Sequence, residues 1–178
     1  METERESASY ISLRSEPYSE QAKALTSKVS HATWALGDSK RANPSKLYTD
    51  ATGAFIGDLL ACQAKSPAKY LYRPMMASSF TGERIGYRVF KRLVEGARSA
   101  GLVSVVTGTG GGNEIGVATR FRAEATLISL ASECGINPKE LDAHFRPMAR
   151  PARIAHPLLL RSASRYVGWK KQQGRNIP

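Results

Sequence analysis

Seven side chains between residues 84 and 122 define the chemistry open to this chain: Arg84, Tyr87, Arg88, Lys91, Arg92, Arg120 and Arg122. Six are cations and one is a phenol. Groups of this kind grip a polyanion. Guanidinium and ammonium donate to phosphate oxygens, and the planar arginine fork also stacks on flat rings. A run of cations on a helix is more often a solvated face, so these groups mean something only if the fold gathers them.

Nothing else in the sequence competes as chemistry. His31, His144 and His156 lie in unrelated segments, and no Ser-His-Asp order, Cys-His pair, HExxH or paired-carboxylate motif stands out. Cys62 and Cys134 are far apart and in no metal-ligand spacing, so they read as small buried hydrophobes in helices. The expectation is a protein that is not an enzyme, with no catalytic residues, metal or cofactor. The glycine cluster at 108–112 could in principle cradle a phosphate. It lacks the Gly-Lys-Ser/Thr ending of a Walker loop, Asn113 stands where a GxGxxG run needs its last glycine, and no helix follows.

The charge balance points the same way as the cluster. The 178 residues carry 26 Lys and Arg against 15 Asp and Glu, a net charge of +11. Such a surplus argues for an anionic partner. The N-terminus lacks the basic start and apolar core of a signal peptide, and no apolar run approaches the ~20 residues that span a bilayer. A cytoplasmic protein with no membrane contact is expected. The length suits one domain with tails.

Several elements must position the cations. Between 81 and 100, Ile85, Val89, Phe90, Leu93, Val94 and Ala97 recur at helical spacing, with Thr81 as candidate cap and Gly101 as a left-handed stop. Arg84, Arg88, Lys91, Arg92 and Arg98 fall mostly off that stripe, with Tyr87 among them. Residues 102–106 are apolar and β-branched and read as a strand. The glycines form a tip. Residues 115–122 read as the return strand, with Ile115, Val117, Thr119 and Phe121 on one face and Arg120 and Arg122 on the other.

Upstream, residues 1–18 read as a flexible tail in which Tyr10, Ile11 and Leu13 could add a short strand. A helix over 19–36 is capped by Ser19 after Pro17 and carries Trp34. A second spans 45–65, with Asp50 as internal cap and Gly53 and Gly57 weakening it by about 1 kcal/mol each. Residues 70–76 read as an edge strand, because Pro74 cannot donate to a ladder. Its Tyr70, Tyr72 and Arg73 either pack or touch phosphate. Downstream, 123–134 reads as a helix stopped by Gly135, and Asn137, Pro138 and Glu140 start a short helix to about 145. From 143 onward there is no Asp or Glu, and eight cations follow, Arg161, Arg165, Lys170 and Lys171 among them. With Tyr166 and Trp169 interspersed, these suit tail contacts to a polyanion.

The whole is expected to be mainly α with a small β-hairpin, an α+β domain over 19–145 with a basic extended tail or linker over 146–178. A basic helix running into a two-stranded hairpin resembles the winged helix-turn-helix domains of bacterial plasmid and phage replication initiators. The residues that carry the likeness are the run from Thr81 to Phe90, Ala100 to Val103, and Ala118 to Ala123. The resemblance implies double-stranded DNA as partner, replication initiation or transcription regulation as role, and a homodimer. It also implies a further helix before the basic one. Residues 77–82 form either a short turn in its place or a variant topology. The alternative is an RNA-binding or protein-interaction accessory module in which the basic tail is the main contact.

Overall fold

The computed structural model describes residues 9–37, 41–107 and 119–148. The glycine tip, the first half of the return strand and the tail cations Arg161, Arg165, Lys170 and Lys171 lie outside the described residues.

The first helix, α1 (Glu20–Ala35), starts where its cap predicts, with Ser19 Oγ accepting from the Ala22 amide. The second, α2 (Lys46–Lys65), starts at the first available cap rather than at Asp50. Ser45 Oγ accepts from Tyr48 N, so the helix gains a turn. Helix α2 is buried on nearly every side and is the axis of the core, with Phe55 edge-on to both Phe90 and Phe121.

Its two glycines have a packing reason. A Cβ on Gly53 would lie 2.8 Å from Pro17, and one on Gly57 would lie 2.6 Å from Ser15 Cβ. The helix gives up propensity there so that an N-terminal strand can approach its backbone.

That strand corrects the expectation of a flexible tail to residue 18. Strand β1 (Ser9–Tyr10) pairs in parallel with β3 (Leu71–Arg73), and β2 (Ser15–Pro17) pairs antiparallel with β6 (Phe145–Pro147). Ile11 and Leu13 between them are buried. Asp58 on α2 holds this crossing: its carboxylate accepts from the amides of Ser12 and Leu13 at 2.9 Å and from Ser15 Oγ at 2.8 Å. Leu13 takes a left-handed backbone, φ 55°, rare for a leucine and held here by the carboxylate on its amide. Burial pushes the Asp58 carboxyl above its ordinary pKa, against the lowering effect of these hydrogen bonds.

Strand β3 is interior rather than at an edge. The sheet order is β1-β3-β5-β4, with β4 (Val103–Val106) and β5 (Thr119–Ala123) antiparallel and β3 antiparallel to β5. Pro74 falls just past the strand, so the ladder keeps all its bonds.

Two segments lie between β3 and β4. A 3-10 turn spans Ala77–Phe80. Helix α3 then runs Tyr87–Ser99 and is capped at Gly86, not Thr81. Gly82, with φ 77°, turns the chain away from helix, and Ile85 is buried between the two segments. The far end behaves as its sequence predicts: the amides of Gly101 and Leu102 bond the carbonyls of Arg98 and Ala97 around a left-handed Gly101.

Helix α4 (Ala125–Glu133) ends in the same way at Gly135, with the Ile136 amide on the Ala131 carbonyl. The last turn, Pro138–Ala143, is 3-10 rather than α, with Asn137 as its cap. Helices packed with a four-stranded sheet, antiparallel except at β1, and a two-stranded β2–β6 ribbon make this an α+β fold.

Candidate nucleic-acid interface

Helix α3 divides sharply. Phe90, Leu93, Val94 and Ala97 are buried, while Arg88, Lys91, Glu95 and Arg98 are exposed. Its outward face therefore carries three cations and one carboxylate. Lys91 and Glu95 lie 3.8 Å apart, an exposed pair worth little. Among the described residues, Arg88 and Arg98 have no acidic partner.

Three of the expected contact residues are turned to other work. Arg84 precedes the helix and binds Asp50 on α2 at 2.5 Å, with Lys46 sharing that carboxylate at 3.3 Å. The two cations share one carboxylate, so the group keeps a net positive charge. Tyr87 is half-buried, its ring 5.7 Å from that of Phe80, and it seats α3 on the preceding 3-10 turn. Arg92 holds its guanidinium carbon over the Trp34 ring, 3.7 Å from the ring centroid. Its Nη2 is buried with no acceptor, and a Cβ on Gly37 would lie only 3.0 Å from its Nε. Arg92 thus places a cation beside the C-terminus of α1, whose own last turn has none.

The α1–α3 crossing that allows this is tight. A Cβ on Gly96 would stand 2.5 Å from the Thr33 carbonyl oxygen. Thr33 Oγ1 also accepts from Tyr48 Oη at 2.8 Å, and burial raises the pKa of that phenol. Arg88 and Arg92, one turn apart, line a cleft of about 220 Å³ with Trp34, Ser45, Tyr48 and Val89.

Arg120 and Arg122 sit on β5, away from the helices. Arg120 is exposed; Arg122 is half-buried, its guanidinium 4.9 Å from the Tyr70 ring. Phe121 between them points into the core. The seven residues therefore form separate groups: Arg88 and Lys91 on the outer face of α3, Arg120 and Arg122 on the sheet, and Arg84, Tyr87 and Arg92 fastening α3 to its neighbours.

Arg73, weighed as a phosphate contact, is 0% exposed. It donates to the carbonyls of Ile11 at 2.9 Å and Ser79 at 3.0 Å and lies over the Phe80 ring at 4.2 Å. Its parity with Leu71 on the strand was the signal for burial. What sequence reasoning missed was Trp34 as the stacking partner of Arg92.

Among the described residues, two groups suited to other chemistry make structural contacts or are held inert. Ser19 Oγ and His144 Nδ1 pair at 2.8 Å, but that serine caps α1. Burial pushes the Cys62 thiol up, away from nucleophilic character. Among the described residues no cluster of three His, Cys, Asp or Glu could hold a metal ion, and no helix is long and apolar enough to cross a membrane. No family model matches the chain, and comparison with characterised proteins and with solved structures finds no match.

Proposed function

We propose that the protein binds double-stranded DNA as a winged-helix domain, with α3 in the major groove and the β4–β5 hairpin on the flanking backbone, in transcription regulation or in plasmid or phage replication initiation. The observation that carries this reading is connectivity. Helix α2, strand β3, a 3-10 turn, helix α3 and then β4 and β5 follow one another, and β3 pairs with β5 rather than β4. A winged helix runs in that order, with the 3-10 turn standing in for its second helix.

Electrostatics support the same reading. Arg88, Lys91 and Arg98 face outward from α3, and the chain carries +11 overall. Arg84, Tyr87 and Arg92 fasten α3 to its neighbours and so set its pitch. Arg120 and Arg122 flank the hairpin.

The test is duplex binding by fluorescence anisotropy across a salt series. Arg88→Ala with Lys91→Ala should weaken binding strongly and flatten the log–log salt slope by about 0.9 for each phosphate no longer neutralised. Urea midpoints should stay put, since both side chains are exposed. Wild-type affinity and slope in this pair would overturn the assignment of α3 as the recognition helix.

A further inference from the structure

The four-stranded sheet has two faces, and duplex binding through α3 leaves the tyrosines of the second unused. Helices α2 and α3 cover the face that carries Leu71, Phe121 and Val103. On the other face the register lines up a row: Tyr10 on β1 beside Tyr72 on β3, Tyr72 beside Arg120 on β5, and Arg120 beside Val106 on β4. A second row sets Arg122 against Tyr70. We propose that this outer sheet face binds single-stranded nucleic acid, stacking its bases on Tyr10, Tyr72 and Tyr70 while Arg120 and Arg122 hold the phosphates.

Four observations carry it. First, the aromatic groups are accessible: Tyr10 is 46% exposed, and Tyr70 and Tyr72 are half-buried, standing on a sheet that fixes their spacing. Second, they are already arranged for ring contact. Tyr10 and Tyr72 meet edge to face at 5.3 Å, and the Arg122 guanidinium lies 4.9 Å from the Tyr70 ring. A base can join such a cluster by stacking on the remaining faces. Third, the charge has one sign. None of these strand residues is acidic, and Arg120 and Arg122 have no acidic partner among the described residues. Fourth, the dimensions fit. Four strands at ~4.8 Å spacing span about 14 Å, the width on which an exposed four-stranded sheet stacks two or three bases.

The same features argue against other occupants. A protein partner wants a continuous apolar patch, and among the described residues of this face Val106 is the one exposed aliphatic side chain. A duplex keeps its base faces stacked inside and offers the tyrosines no ring. The proposal shares Arg120 and Arg122 with the duplex reading but not the tyrosines, so the two stand or fall separately.

The experiment uses the full chain and fluorescein-labelled oligo-dT, with an abasic strand of equal length and a duplex as the other arms. Oligo-dT should bind more tightly than the abasic strand. Tyr10→Leu with Tyr72→Leu should lose tenfold or more in oligo-dT affinity, and Tyr10→Phe with Tyr72→Phe should retain it, because stacking needs the ring and not the hydroxyl. Duplex affinity should be unchanged in both pairs. Equal binding of oligo-dT and the abasic strand would overturn the proposal, and so would a leucine pair that binds like wild type. The phenylalanine pair and the abasic arm still decide the matter if the leucine pair does not fold. Loss of duplex binding in the Arg88 and Lys91 variant leaves this result untouched.

Discussion

The Arg92 guanidinium lies over the Trp34 ring at 3.7 Å, joining the last turn of α1 to the middle of α3. A residue that reads as one more cation on a basic face is therefore a structural clasp. It stacks, it places a cation near the end of a neighbouring helix, and it leaves Arg88 one turn earlier as the free charge.

Arg92→Ala should accordingly lower stability by about 1–2 kcal/mol, because both the stacking and the packing of its stem disappear. Arg88→Ala should stay within about 0.5 kcal/mol of wild type. Urea denaturation of the two variants checks this. Equal midpoints would mean that the stacked pair contributes nothing to the fold.

The α1–α3 crossing makes a second prediction, contrary to helix propensity. Alanine in place of a helical glycine ordinarily stabilises by about 1 kcal/mol. At Gly96 the new methyl would meet the Thr33 carbonyl oxygen at 2.5 Å, a backbone atom that cannot swing aside. Gly96→Ala should therefore destabilise, with overpacking of about 1–3 kcal/mol outweighing the propensity gain. A higher melting temperature in the variant would show that the helices part without penalty.

Asp58 gives a pH dependence. Burial raises its carboxyl pKa in the folded state, so the folded form holds its proton to higher pH than the unfolded form, which ionises near ~3.9. Across that interval the folded state binds more protons, and stability from this group falls as pH rises. The wild-type advantage over Asp58→Asn should therefore shrink from about pH 3 upward and level off above the folded pKa. Urea midpoints of both proteins over a pH series measure it. An advantage that grows with pH would mean that the hydrogen-bond donors around the carboxylate, not burial, set the pKa.

Much of the local structure could be read from single residues. Ser19 capped its helix, Gly101 and Gly135 stopped theirs, and Asn137 with Pro138 began a turn, because caps and stops act through the backbone within a few residues. The alternation of Arg120, Phe121 and Arg122 correctly set one side chain inside and two outside.

What the sequence alone determined, then, was the order of helices α1 to α4 and of strands β3 to β5 and the cationic surplus, all consequences of periodicity, local backbone geometry and composition. The tertiary structure decided which cations are free. Arg73 is buried because a carbonyl 62 residues away accepts from it, Arg92 is stacked because α1 brings Trp34 beneath it, and Arg84 is paired because α2 presents Asp50. It also decided that residues 9–18 are part of the body, since Asp58 reaches the amides of Ser12 and Leu13 from 46 and 45 positions away. Such contacts depend on partners remote in sequence, and no local pattern encodes where a remote partner will stand.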